Sequence, residues 1–365
     1  MDPMYDLETE RVASEIKDTG ARRVLLQLPD GLRPVAISLA ETLREFTGAE
    51  ILISGDSCYG ACDLALIPAR EIGADLIVHY GHSMMLETET PVIYVEARVG
   101  FDAPALVEKA LPHISRWGKT GLATTVQHAH KLEAVKEALE GSGVEVVIGG
   151  GRTTHPGQVL GCNYETAEEV ADSVDGFLFI GAGKFHALGL AMSTGKPIVI
   201  ANPYLMEVDE LDEREVTRFA MKRMAAITYA KEVVTLGIIV SVKSGQNRMA
   251  VAEELRERLE KGGKRAPIIV LDEVNALSLG NFTEVEAFID TACPRIAVDG
   301  LAGLAKPVLT ITEAQIMLGE RRWEDTWGGA TSMIRGFIIK RNNREPCPHR
   351  FGEVQLTLLE PEDDV

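Results

Sequence analysis

Five cysteines carry the chemistry that this sequence can perform: Cys58, Cys62, Cys162, Cys293 and Cys347. An odd, small number in 365 residues argues against a disulfide framework, so any use is as thiols or metal ligands. Cys62 follows Gly55-Asp-Ser-Cys-Tyr-Gly-Ala61, Cys162 follows Gly157-Gln-Val-Leu-Gly161, and Cys293 precedes Pro294. Thiolates hold iron–sulfur clusters, and three of them leave one iron open for a substrate. Zinc is the competing reading, because three cysteines with a histidine or water make a zinc set. A single free cysteine is also often just a small buried apolar residue. Cys58 and Cys62 form C-x3-C, but the C-x2-C that continues a conventional radical-cluster loop is missing, position 65 being Ala. Cys58 therefore reads as a bystander or an alternative ligand. Cys347, in Pro346-Cys-Pro-His349, reads as structural or incidental.

Other residues offer weaker chemistry. His79 and His82, in His79-Tyr-Gly-His-Ser83, suit ligands or polar contacts to a small molecule, and equally suit imidazoles capping a loop at a strand end. Gly149-Gly-Gly151 and Gly181-Ala-Gly183 allow a ligand close to the backbone. Neither is a G-x-G-x-x-G, since the sixth position counted from Gly181 is His186, so a nicotinamide site is weakly supported. The loop Ser241-Val-Lys-Ser-Gly-Gln246 leads into a helix and offers N–H groups to an anion, or merely caps that helix. No G-x-S-x-G elbow and no P-loop motif occurs.

These residues need elements to position them, and an internal repeat supplies those elements. Val24-Leu-Leu-Gln-Leu28, Leu122-Ala-Thr-Thr-Val126 and Leu236-Gly-Ile-Ile-Val240 each read as the first strand of a unit. Pro91, Pro197 and Pro307 each open a later strand, 106 and 110 residues apart, where the missing N–H costs little. Between them lie Asp75 to His82 and Asp175 to Gly183, with Arg295-Ile-Ala-Val-Asp-Gly300 as a shorter third copy. Strands are expected at Arg23 to Leu28, Glu50 to Ser54, Asp75 to His79 and Val92 to Val95. A helix is expected over Arg33 to Phe46, with Val35, Leu39, Leu43 and Phe46 on one face. The fold class is α/β: three similar domains, 1–117, 118–231 and 232–365, each a parallel sheet of about four strands with flanking helices, arranged around a pseudo-threefold axis. Cys62, Cys162 and Cys293 fall one to each, in loops at strand ends, where open α/β sheets bind ligands.

Hydrophobic residues at 45% and charged residues at 25% describe an ordinary globular chain. A net charge of −18 excludes nucleic-acid binding by bulk attraction. The start, Met1-Asp-Pro-Met-Tyr-Asp6, has no basic and apolar leader pattern, and no apolar run approaches a membrane span, so the expected location is the cytoplasm. The tail from Glu360 to Val365 reads as a solvated end.

Six phrases together resemble the diphthamide-biosynthesis family, 2-(3-amino-3-carboxypropyl)histidine synthase, in its archaeal form. They are Leu26-Gln-Leu-Pro-Asp-Gly-Leu32, Gly55-Asp56 with Tyr59-Gly-Ala-Cys62, His79 to Ser83, Gly157 to Cys162, Gly181-Ala-Gly-Lys-Phe-His186 and Thr291-Ala-Cys-Pro-Arg-Ile-Ala297. The resemblance covers about residue 24 to 310 and implies a [4Fe–4S] cluster held by Cys62, Cys162 and Cys293, with S-adenosylmethionine at the fourth iron. It implies cleavage of the Cγ–S bond, releasing methylthioadenosine and a 3-amino-3-carboxypropyl radical that adds to a histidine of translation elongation factor 2. A homodimer and an external electron donor belong to the same expectation. His79, Gly81, His82, Ser83, Gly181, Gly183 and Gln246 are the candidate contacts to S-adenosylmethionine. The alternatives are a quinolinate synthase-like dehydratase, also built of three α/β units around a three-cysteine cluster, and a non-catalytic zinc-stabilised scaffold.

Overall fold

The computed structural model describes residues 5–324. Cys347, the tail and the remainder of the third expected domain lie outside the described residues. Three main sheets form. The first holds β1 (Arg23–Gln27), β2 (Glu50–Ile53), β3 (Leu76–Tyr80) and β4 (Val92–Val95), in the order β2-β1-β3-β4, all parallel. The second holds β5 (Lys119–Thr124), β6 (Glu145–Val147), β7 (Gly176–Ile180), β8 (Ile198–Asn202) and β9 (Glu207–Glu210). Its order is β6-β5-β7-β8-β9, with only β9 antiparallel. The third holds β10 (Leu236–Ser241), β11 (Ile268–Leu271), β12 (Ala287–Asp290) and β13 (Val308–Thr310), in the parallel order β11-β10-β12-β13. The second-first-third-fourth order thus recurs in each sheet. A small antiparallel pair, Tyr5–Asp6 with Arg98–Val99, stands apart.

The central strands are mostly apolar because helices cover both faces. Every residue of β3, β7, β10 and β12 is buried, His79, Ser241 and Asp290 included. Two side-chain devices recur with the sheets. Asp75 accepts the N–H groups of Arg22 and Arg23 (2.8 and 2.9 Å), Asp175 those of Gly118 and Lys119 (2.7 and 3.0 Å), and Glu286 those of Val234 and Thr235 (both 2.9 Å). In each case a carboxylate ahead of the third strand ties down the start of the first. Pro91, Pro197 and Pro307 present carbonyls to Ile77, Phe177 and Phe288 at 3.0, 3.0 and 2.9 Å.

Two local expectations need correction. Arg295 to Gly300 is not a strand: Pro294–Asp299 is a helix, with Pro at its first position, where its fixed φ suits a helix start. The third copy of the strand is Ala287–Asp290, which puts Glu286 in the place of Asp75 and Asp175. The expected helix over Arg33 to Phe46 is split, a 3-10 turn at Asp30–Val35 leading into the helix Ala36–Thr47. Leu39 and Leu43 are buried in it, but Phe46 is exposed.

Helices join the sheets. The Ala103–Ile114 helix, ahead of residue 117, buries Leu106, Val107 and Ala110 against Leu122, Leu178 and Ile180 of the second sheet. The Glu213–Glu232 helix lends Val216 and Ala220 to the second core, and Ile227 and Ala230 to the third. Midway along it, buried Arg223 donates to Glu313 Oε1 (2.7 Å), to the Ala297 carbonyl (2.6 Å) and to the Val308 carbonyl (2.8 Å).

Candidate metal centre

The register pairs Gln27 with His79, Thr124 with Ile180 and Ile239 with Asp290, so the ends of first and third strands stand side by side in each sheet. Neighbouring loops diverge from such a point and leave a crevice. Cys62 lies in the loop after β2, and its position is set from two sides. Gln27, buried on β1, donates to the Asp63 carbonyl (2.6 Å) and accepts from the Ala65 N–H (3.1 Å). From the third unit, the Gly245 N–H donates to the Cys62 carbonyl (2.7 Å), and Ser244 Oγ accepts from the Leu64 N–H (3.0 Å). Lys243 donates to Asp63 at 3.0 Å, both side chains being buried, and lies 3.5 Å from Glu273. Glu273 in turn accepts from Ser57 Oγ (2.5 Å) and from the Tyr59 hydroxyl. Gln246 Nε2 points at Cys62 Sγ, 3.6 Å away.

Cys162 sits at the tip of a tight turn closed by two hydrogen bonds between Leu160 and Asn163, of 2.8 and 3.2 Å. Thr124 at the end of β5 anchors this loop, donating to the Gly157 carbonyl and accepting from the Val159 N–H, both at 2.8 Å. Gly161 packs where a Cβ would lie 2.8 Å from Phe185 and 3.2 Å from Arg295. Cys293 precedes the Pro294–Asp299 helix, three residues beyond β12. Two of the cysteines therefore follow second strands and one follows a third strand, so their positions in the repeat are not equivalent.

The three thiols share one electrostatic environment. Burial pushes Cys62, Cys162 and Cys293 up, the last to about 11, and charge on Cys62 adds to the rise at the other two. Charge on Cys162 also reaches Cys293. The Gln246 hydrogen bond opposes the rise at Cys62, and the Arg248 guanidinium opposes it at Cys62 and Cys162. A cavity of about 420 Å³ opens between Ser57, Cys58, Tyr59 and His82 of the first unit and Arg295, Ile296 and Leu301 of the third, lined by chain neighbours of Cys62 and Cys293.

Of the candidate contacts, His82 lines the cavity and Gln246 touches Cys62. His79 is fully buried behind His82, its Nε2 3.0 Å from His82 Nδ1. Gly81 adopts φ 87° and gives its carbonyl to Gln127 (2.7 Å), while Ser83 donates to Glu96 (3.1 Å). Gly181 packs on Phe179, whereas Gly183, at φ 73°, faces open space. The Gly150 and Gly151 N–H groups are both taken by Glu169 at 3.0 Å, so that glycine run binds an internal carboxylate. The Ser241 to Gln246 loop likewise spends its Gly245 N–H on Cys62. Arg248, Lys243, Asp63 and Glu273 escaped the reading of the sequence. Only the contact between the first and third units gives them meaning, and no local spacing announces it.

A profile of the diphthamide synthesis protein family matches residues 28–328. The 2-(3-amino-3-carboxypropyl)histidine synthase of Pyrococcus horikoshii is 40% identical over 343 residues, covering 92% of this chain and 98% of that protein. Subunit 1 of the corresponding synthase from Homo sapiens is 28% identical, over 88% of this chain and 74% of its own. The crystal structure of Dph2 from Pyrococcus horikoshii with a 4Fe-4S cluster superposes with a TM-score of 0.79, over 87% of this chain and 92% of that one. This chain belongs to the diphthamide synthesis protein family.

Proposed function

We propose that this chain transfers the 3-amino-3-carboxypropyl group from S-adenosylmethionine to a histidine of translation elongation factor 2, the first step of diphthamide biosynthesis. What supports this is that Cys62, Cys162 and Cys293 each follow a strand of a different sheet and that charge on Cys62 reaches the other two thiols, while Cys58 of the first loop and Arg295 of the third line one cavity. The donor set fits a [4Fe–4S] cluster: three thiols, with the Gln246 amide turned toward one sulfur as second-sphere donors to clusters are. Among the described residues, the group whose ligand atoms all lie within 4.8 Å of one another is Cys58, His79 and His82, not these three cysteines.

Cys62, Cys162 and Cys293 would hold the cluster, which would supply the electron, received from the external donor, that breaks the Cγ–S bond of S-adenosylmethionine. The chain does the rest. The cavity walls, with Tyr59 and His82 on one side and Arg295 on the other, orient the sulfonium and keep water from it. Arg248 offsets the negative charge that three thiolates bring together. The elongation factor, an external electron donor and a homodimeric cytoplasmic enzyme complete the reading; among the described residues no helix is long and apolar enough to cross a membrane. The family match favours this function over a quinolinate synthase-like dehydratase, which has no use for S-adenosylmethionine.

The test is the product. The anaerobic, cluster-loaded protein with dithionite should convert S-adenosylmethionine to methylthioadenosine, and the mass of added elongation factor 2 should rise by one aminocarboxypropyl group on a single histidine. 5′-Deoxyadenosine as the main product would overturn the proposal.

A further inference from the structure

Cys58 and His79 stand outside the set of three thiols, and the proposed reaction leaves them unused. Cys58 Sγ, the His79 ring and the His82 ring offer three ligand atoms within 4.8 Å of one another. The histidines come from β3 and the turn after it, and the cysteine from the loop that carries Cys62. Four-coordinate zinc takes this kind of mixed nitrogen and sulfur set, with Zn–N of about 2.0 Å and Zn–S of about 2.3 Å. With all three ligand atoms already within 4.8 Å of one another, any closing onto such an ion falls to the half-buried Cys58.

The protonation pattern leaves one ring nitrogen of His79 unprotonated and available to a metal ion. Gln27 donates its amide N–H to the Asp63 carbonyl (2.6 Å), so its Oε1 is an acceptor, and the Ala65 N–H already points to that oxygen at 3.1 Å. His79 Nδ1, 2.9 Å from the same oxygen, must therefore carry the ring proton. His79 Nε2 is left with a lone pair directed at His82 Nδ1, 3.0 Å away. Histidine ligands to metals show this arrangement, the far nitrogen donating to a fixed acceptor while the near one stays free. Burial keeps both rings neutral, the form that ligates, pushing them down to about 3 and about 4.

We propose that Cys58 Sγ, His79 Nε2 and His82 Nδ1 form a binding site for a single zinc-class divalent ion, separate from the three-cysteine centre, with the fourth position open to the adjoining cavity. Binding deprotonates Cys58 and releases one proton to solvent, while the proton on His82 Nδ1 shifts to Nε2 without net release. The ion would fasten the loop bearing Cys62 to the end of β3. Nothing in the proposal depends on the reaction assigned above.

Cobalt(II) titration of the full chain carrying Cys62→Ser, Cys162→Ser and Cys293→Ser tests this site without a coloured cluster. One equivalent should bind, with thiolate-to-cobalt charge transfer in the near ultraviolet and intense visible bands of a four-coordinate ion, and zinc should displace it. Adding Cys58→Ser should abolish the charge transfer, and adding His82→Asn should weaken binding by at least about tenfold. In the cluster-loaded protein, metal analysis after exposure to zinc should find one zinc per chain, retained in Cys162→Ala and lost in Cys58→Ser. Absence of the charge-transfer band, or cobalt binding that survives both Cys58→Ser and His82→Asn, would overturn the assignment.

Discussion

At Gly245 a Cβ would lie 2.8 Å from both Cα and Cβ of Cys62 and 2.9 Å from its carbonyl oxygen, distances that backbone contacts do not tolerate. Gly245→Ala must therefore push the third-unit loop off the loop that carries Cys62 and lengthen the 2.7 Å hydrogen bond between them. A loss of about 1–3 kcal/mol is expected, as for overpacking elsewhere. Iron content after reconstitution should fall while far-ultraviolet dichroism stays unchanged; full iron loading would contradict this account of how Cys62 is placed. The cysteines themselves could be singled out in the sequence because each lies after a strand of a recurring unit, Cys62 and Cys162 close to glycines and Cys293 beside a proline. Lys243 and Asp63 were not, because their buried pairing links residues 180 apart and needs the two units assembled.

Among the elements, the repeat was readable wherever apolar runs were bounded by proline and an acidic residue, as at β3, β7 and their following strands. It failed at Arg295 to Gly300, where the apolar triplet Ile296-Ala-Val298 suits a strand, but Pro294 starts a helix and the actual strand lies just upstream. Asp75, Asp175 and Glu286 mark the true correspondence. All three titrate below the ordinary carboxylate value because two backbone N–H groups donate to the ionised form. Their stabilisation is complete above the unfolded carboxylate pKa and is lost as pH falls through the lowered folded value. Asp175→Ala should lower the thermal midpoint at pH 7, and the gap to the unaltered protein should narrow below about pH 4, as the carboxylate of the latter takes up its proton. A gap independent of pH would count against this role.

Across the whole molecule, the long Glu213–Glu232 helix ties the second and third cores together, and Arg223 pins it to the third. Arg223→Met strands Glu313, fully buried, without its cation and should cost about 3–5 kcal/mol. Adding Glu313→Leu should restore much of that in a denaturant melt, unless the pair serves no more than local packing. Such a helix shared between units could not be foreseen from a repeat, which describes each unit separately. The proposed function rests on the claim that assembly of the units brings one cysteine from each of three sheets to a single centre. Its most direct measurement is iron and sulfide per chain after anaerobic reconstitution. About four of each are expected for a [4Fe–4S] centre in the unaltered protein and in Cys58→Ala, with loss in Cys62→Ala, Cys162→Ala and Cys293→Ala alike. Full iron and sulfide in the Cys162→Ala protein would contradict the account.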